Sequence, residues 1–176
     1  MPTFSDDKIA FVHIFKTGGS SITTWYNKYI NNKILDEHYN HYYLSVIENP
    51  APISFVVIRN PWDRVVSMYF HNCKYLKNFN TNFDNFVLYE MKTMFVGGQT
   101  LSTPQIRWTE NVTHLLRFEN LEKDFKIIQD IFQCYEPLPL KKKSNREHYR
   151  TYYKEETRQA VAEMFKEDIE AFGYEF

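Results

Sequence analysis

The chain has 176 residues, 43% of them hydrophobic and 24% charged, which is the composition of one globular domain and excludes disordered and fibrous classes. Its 21 basic residues against 22 acidic ones give a net charge of −1. That balance argues against a dedicated nucleic-acid binder, which needs a strong basic excess, yet it is compatible with a local basic pocket for one small anion.

The first apolar run, Ile9-Ala10-Phe11-Val12-His13-Ile14-Phe15, reads as a buried strand of a parallel sheet. Ile22, Trp25, Tyr26, Tyr29 and Ile30 then recur at helical spacing. A second strand reads from Ile53 to Ile58. Asn60 and Pro61 make an N-cap and first helical residue, and Trp62, Val65, Val66, Tyr69, Phe70 and Cys73 form that helix's apolar stripe. Phe83, Phe86, Val87 and Met91 suggest another helix before the Gly97-Gly98 break. A third strand candidate runs from Val112 to Phe118, followed by a helix through Leu121, Phe125, Ile128 and Phe132. Residues 137–150 read as a loop carrying Lys141-Lys142-Lys143. Val161, Met164, Phe165, Ile169 and Phe172 mark a last helix closing at Gly173. Strands alternating with helices predict an α/β sandwich around a mainly parallel sheet, in one domain over residues 1–176. Ligands of such sheets bind beyond the carboxyl ends of the strands.

Cys73 and Cys134 are too few for a disulfide framework and read as buried thiols. No run approaches about 18 consecutive apolar residues, so no membrane span is expected. Ile9 to Phe15, interrupted by His13 and followed by Lys16, is unlike a signal peptide, and the expected compartment is the cytoplasm. Asn111-Val112-Thr113 fits a glycosylation sequon, a triplet that arises often by chance.

Two segments carry chemistry, and each follows a predicted strand. In His13-Ile14-Phe15-Lys16-Thr17-Gly18-Gly19-Ser20-Ser21, the glycines let backbone amides approach an anion at a helix N-terminus. Lys16 adds a full charge, and Thr17, Ser20 and Ser21 add hydroxyls. Lys16 precedes the glycines, so this is not a Walker A loop. In Arg59-Asn60-Pro61-Trp62-Asp63-Arg64-Val65-Val66-Ser67, Arg59 stands where a strand ends and Ser67 on the second helical turn. Arginine and serine there suit a phosphate. Equally, Arg59 and Arg64 can pair with carboxylates such as Asp63 or Glu119.

In this order and spacing the segments resemble the PAPS-dependent sulfotransferases, above all the carbohydrate-type enzymes and their small bacterial and viral relatives. That group carries H-I-P-K-T-G-G-T-S and a later R-N-P-x-x-R-x-x-S. Here Phe15 replaces the proline and Ser20 the threonine, while Arg59, Asn60, Pro61, Arg64 and Ser67 match. Gln105, the stretch Leu116 to Leu121 and the closing Asp168 to Tyr174 look like later landmarks of the family. The resemblance implies a P-loop-like three-layer sandwich. It also implies that Lys16, Thr17, Gly18, Gly19, Ser20 and Ser21 hold the 5′-phosphosulfate of PAPS, and that Arg59 and Ser67 hold its 3′-phosphate. Lys16 would then neutralise the leaving phosphate, with no metal required. Phe15 would alter the start of the loop or offer an aromatic face near the nucleotide.

Carbohydrate sulfotransferases often place a catalytic histidine in the interval where His38-Tyr39-Asn40-His41 stands. Histidine titrates near neutrality and suits the deprotonation of an acceptor hydroxyl. His41 is preferred over His38, because Tyr42 to Ile47 could form a short helix behind it. Glu37 and Glu119 are weaker candidates, and His13 reads as structural. Lys143 and Ser144, in the late basic loop, would contact the nucleotide by resemblance. The acceptor is expected to be a carbohydrate or small natural product, in a pocket bordered by Tyr75 to Phe95 and the loop Gly97 to Thr100. A P-loop-like kinase and a catalytically silent nucleotide-binding module are the competing readings.

Overall fold

Continuous apolar runs become strands where both faces of a sheet are covered, and two of these runs do, the first only as far as Val12 rather than Phe15. The computed structural model describes residues 4–5, 9–30, 52–139 and 146–176. Its chain divides into two compact units, Met1–Ile58 with Trp108–Lys143, and Arg59–Arg107 with Ser144–Phe176.

In the first unit, β2 (Ile9–Val12), β3 (Ile53–Ile58) and β6 (His114–Arg117) are parallel neighbours, and β1 (Phe4–Ser5) adds an antiparallel edge to β2. The register sets Phe11 beside Phe55 and Val57 beside Leu116. On one face these residues meet Ile22, Trp25 and Tyr26 of α1 (Gly19–Tyr29) and Ile128 of α5 (Lys126–Phe132) in a single buried cluster. Aromatic packing locks it: the Phe11 and Phe55 rings stack at 4.7 Å, and Trp25 meets Phe125 edge-on at 5.0 Å. Each such pair is worth about 0.5–1.5 kcal/mol beyond its buried area. Ala10, Val12, Val56 and Ile58 alternate to the other face and are equally buried. The result is the expected α/β architecture, a parallel three-stranded sheet flanked by helices.

Three differences from the sequence reading have local causes. The strand expected from Val112 to Phe118 starts at His114, because Thr113 extends the ladder through its side chain. Its hydroxyl accepts from Ser54 N at 2.8 Å and donates to Ser54 O at 2.6 Å. The helix expected through Phe132 is two pieces, α4 (Leu121–Asp124) and α5, parted at Phe125. Phe125 stays in the core across the break, so the apolar period is unbroken. Cys73 and Cys134 are free thiols, but neither is buried: Cys73 is exposed and Cys134 half-buried.

The second unit is built on α2 (Pro61–Tyr75). The Asn60 side chain accepts from Trp62 N at 3.1 Å and from Asp63 N at 3.4 Å, the cap that the Asn-Pro pair predicted. Asn82 caps a single turn, α3 (Phe83–Asn85), which continues as a π-helical turn, Phe86–Glu90. The Gly97-Gly98 break proves to be the turn of a small hairpin, β4 (Phe95–Val96) with β5 (Gln99–Thr100), both glycines having positive φ. The last helix is again double, α6 (Glu155–Met164) and α7 (Lys166–Phe172), ending at Gly173 with φ 65° as expected.

Candidate active site

The loop between β2 and α1 lies wholly within the first unit. Lys16 has φ 69°, and Gly18, the N-cap of α1, has φ 93°. Glycine adopts that region without a steric penalty, but lysine does not: left-handed backbone at such a residue costs about 1–3 kcal/mol. Thr17, fully buried, secures the loop by donating from Oγ1 to the Ile14 carbonyl at 2.9 Å. The Phe15 ring lies 5.7 Å from Lys16 Nζ and presents its face to that cation.

No side chain caps the N-terminus of α1, and no acidic residue occupies its first turn. The partial positive charge of its leading amides is therefore not offset by a side-chain cap or by an acidic residue of its own first turn. Ser20 and Ser21, half-buried, stand on that same turn. Gly19 is dictated by contact: a Cβ built there would lie 2.0 Å from His13 Nε2. The His13 ring rests on the Gly19 backbone and stacks on Phe11 at 5.6 Å.

Arg59 follows β3 directly and is placed by side chains of the second unit. Gln105 treats it as a strand would, accepting from Arg59 N at 3.0 Å and donating to Arg59 O at 2.8 Å. Gln105 is in turn fixed by Asp168, whose Oδ2 accepts from Gln105 N at 2.8 Å and whose Oδ1 accepts from Ile106 N at 2.8 Å. Burial pushes the Asp168 carboxyl above its ordinary range, against the hydrogen bonds from Gln105 and Ile106 and the charge of Arg64. Burial also lowers the Arg64 guanidinium to about 10, with Asp168 opposing that shift and Arg59 adding to it. Arg64 thus belongs to the interior behind Arg59, above the Phe165 ring at 5.7 Å. The Asp168 charge faces it there.

The Arg59 side chain faces Asp63 instead, with Nε at 2.9 Å and Nη2 at 2.6 Å from Oδ2. The second Asp63 oxygen accepts from Arg146. Ser67 is half-buried on the same helix. The sequence model of the sulfotransferase family matches residues 2–175.

The chain belongs to the sulfotransferase family. It is an enzyme that moves a sulfuryl group, and the family's sulfate donor is PAPS. No curated protein matches the chain. The donor's chemistry fits the loop, since an anionic phosphosulfate suits a helix N-terminus with no acidic residue in its first turn, beside a lysine. Among the described residues, no cluster of His, Cys, Asp and Glu is arranged to hold a metal ion, and no helix is long and apolar enough to cross a membrane.

Of the expected site residues, Lys16 to Ser21 share one loop, whereas Arg59 and Ser67 share one strand-to-helix junction. Glu119 is exposed on the single turn Phe118–Asn120 after β6. Glu37, His38, His41, Lys141, Lys142, Lys143 and Ser144 lie outside the described residues, as does the short helix expected over 42–47. Arg146 belongs by sequence to the basic run from Lys141 expected over the nucleotide, and Gln105 and Asp168 to the family landmarks, but the contact of Arg146 with Asp63 and the grip of the Gln105–Asp168 pair on Arg59 are not foreseen there. Asp63, four residues after Arg59, was legible by helical spacing. Gln105 and Asp168 carry no local signal, because 63 positions separate them.

Proposed function

We propose that this sulfotransferase transfers the sulfuryl group of PAPS to a hydroxyl of a carbohydrate or small natural product, by in-line displacement. The observation that carries the reading is the loop. A lysine held at φ 69° precedes a helix whose N-terminus has no side-chain cap. Lys16 and the amides of Gly18 to Ser21 would hold the phosphosulfate, with the Ser20 and Ser21 hydroxyls beside it. Arg59 and Ser67 would hold the 3′-phosphate, and Lys143 and Ser144 are proposed as further nucleotide contacts. PAPS supplies an activated sulfuryl group on a phosphate leaving group. The chain's own part is to fix that phosphate, neutralise it, and take the acceptor proton.

Labelled PAPS offered to pooled acceptors, with mass spectrometry of the products, tests the transfer. A sulfated alcohol is the expected result. Magnesium-dependent ATP turnover in its place would favour a kinase, and no product from any pool a silent binding module. The 3′-phosphate assignment has its own readout. PAP should raise the melting temperature well above the effect of AMP, which lacks that group. Arg59→Ala should remove a charge-assisted contact worth about 1.5–3 kcal/mol from PAP and leave AMP nearly unchanged. Equal losses for both nucleotides in calorimetry would overturn it.

His41 is proposed as the general base, with His38 as the alternative. A basic imidazole gives the rate an acid limb near its ordinary pKa of about 6.5, since protonation removes the base. That limb should vanish in His41→Ala and persist in His38→Ala. The reverse pattern would exchange the two, and survival of the limb in both would turn attention to Glu37 and Glu119.

A further inference from the structure

Asp63 stands at one of the two variable positions between the motif arginines Arg59 and Arg64, yet it meets two arginines at once. Its carboxylate lies in the first turn of α2, fixed there because its own amide donates to the Asn60 cap at 3.4 Å. Each oxygen serves a different arginine. Oδ2 takes both Nε and Nη2 of Arg59, and Oδ1 takes Nη2 of Arg146, which comes 83 residues later. The three side chains are only 8%, 19% and 10% exposed for Arg59, Asp63 and Arg146, so solvent does little to screen them. Tyr153 closes one side of the group. Its hydroxyl donates to the Trp62 carbonyl at 2.9 Å, and burial first, then the Asp63 charge, hold its pKa well above the ordinary value. It therefore contributes no charge.

We infer that Asp63 is a positioning residue for the donor nucleotide, the carboxylate that holds the guanidiniums of Arg59 and Arg146 side by side as one anion-binding pair. The inference rests on the proposal that Arg59 receives the 3′-phosphate. Two guanidiniums brought together with little solvent repel each other, and a shared carboxylate is what permits it. Two arginines on one carboxylate still leave a net positive charge, which suits a dianionic phosphate. The planar fork of each arginine gives that charge a direction as well as a magnitude. An asparagine at this position cannot do the same work. It keeps one acceptor oxygen, but its amide would point a donor at the other guanidinium.

Calorimetry with PAP and AMP on the wild type, Asp63→Asn, Asp63→Glu and Arg59→Ala tests this, with steady-state kinetics in PAPS alongside. Asp63→Asn should weaken PAP about 5–20-fold and AMP less than twofold. KM for PAPS should rise by a similar factor, while kcat at saturating donor stays within about twofold. Asp63→Glu, which retains the charge, should recover part of the loss, and a purely structural role would not separate PAP from AMP in this way. If Asp63→Asn binds PAP as well as or better than the wild type, Asp63 is a competitor of the phosphate and the inference is wrong. It is equally wrong if the variant loses PAP and AMP alike. Arg59→Ala separates the two levels: selective loss of PAP there, with no effect at Asp63, overturns the positioning role alone. Equal loss of PAP and AMP in Arg59→Ala overturns the 3′-phosphate assignment, and the role of Asp63 with it.

Discussion

Lys16→Ala is expected to lower the single-turnover rate by about 10²–10³-fold, the usual result of removing one group aimed at charge that develops in the transition state. PAPS affinity, measured without acceptor, should fall by roughly tenfold or less. The difference follows from where the charge goes. As the S–O bond breaks, negative charge accumulates on the phosphate oxygen that departs, so a lysine beside it gains more in the transition state than in the bound ground state. Alanine is the right replacement because it leaves the backbone unfavourable at φ 69° to a similar degree, so that the change isolates the cation. Lys16→Gly would also relieve strain and confuse the two effects. Phe15 adds a second handle. Its ring faces Nζ at 5.7 Å, and Phe15→Ala should cost far less than Lys16→Ala, since a cation–π contact between half-buried groups is worth about 0.5–2 kcal/mol. Single-turnover rates that survive Lys16→Ala, with affinity alone reduced, would make Lys16 a binding residue and nothing more.

Those parts of the fold that the sequence discloses are the ones whose burial is continuous. β2 and β3 are apolar at nearly every position because both faces of the sheet are covered, and such runs need no tertiary information to be seen. The two-residue strands β1, β4 and β5 are too short to carry any period. The interruptions at Phe125 and Phe165 are hidden for the opposite reason. Each residue remains buried and in phase, so the pattern passes through the break unchanged. The same division holds at the site. Lys16, Gly18 and Arg59 announce themselves as charge or glycine directly after an apolar strand. What holds Arg59 in place is contributed by Gln105, Asp168 and Arg146, residues distant in sequence whose meeting is a property of the fold. His13 stands in an apolar run, but its close packing on Gly19 is visible only in the fold.

Gly19→Ala should accordingly be damaging although it puts a better helix former at a helical position. The gain in helix propensity is at most about 1 kcal/mol. Against it, the new methyl would sit 2.0 Å from His13 Nε2 and 2.1 Å from Cδ2, where ordinary carbon contacts lie near 3.5–4.0 Å. The ring cannot simply turn aside, since it is stacked on Phe11, itself fully buried against Phe55. Either the imidazole is expelled or the start of α1 moves by an ångström or more. Overpacking of this kind costs typically 1–3 kcal/mol, so the clash outweighs the propensity and the variant should melt several degrees lower. Activity should suffer more than stability. The displaced segment carries the amides proposed for the phosphosulfate, and a misplacement of about 1 Å can cost 10²-fold in rate. His13→Ala in the same chain gives the decisive comparison. Removing the ring takes away what the methyl strikes, so the double variant should be more stable than the two single losses predict, by about 0.5–3 kcal/mol. Simple additivity of the two changes, or a Gly19→Ala enzyme with wild-type melting and PAPS affinity, would mean that the close packing of His13 on Gly19 does not shape this loop.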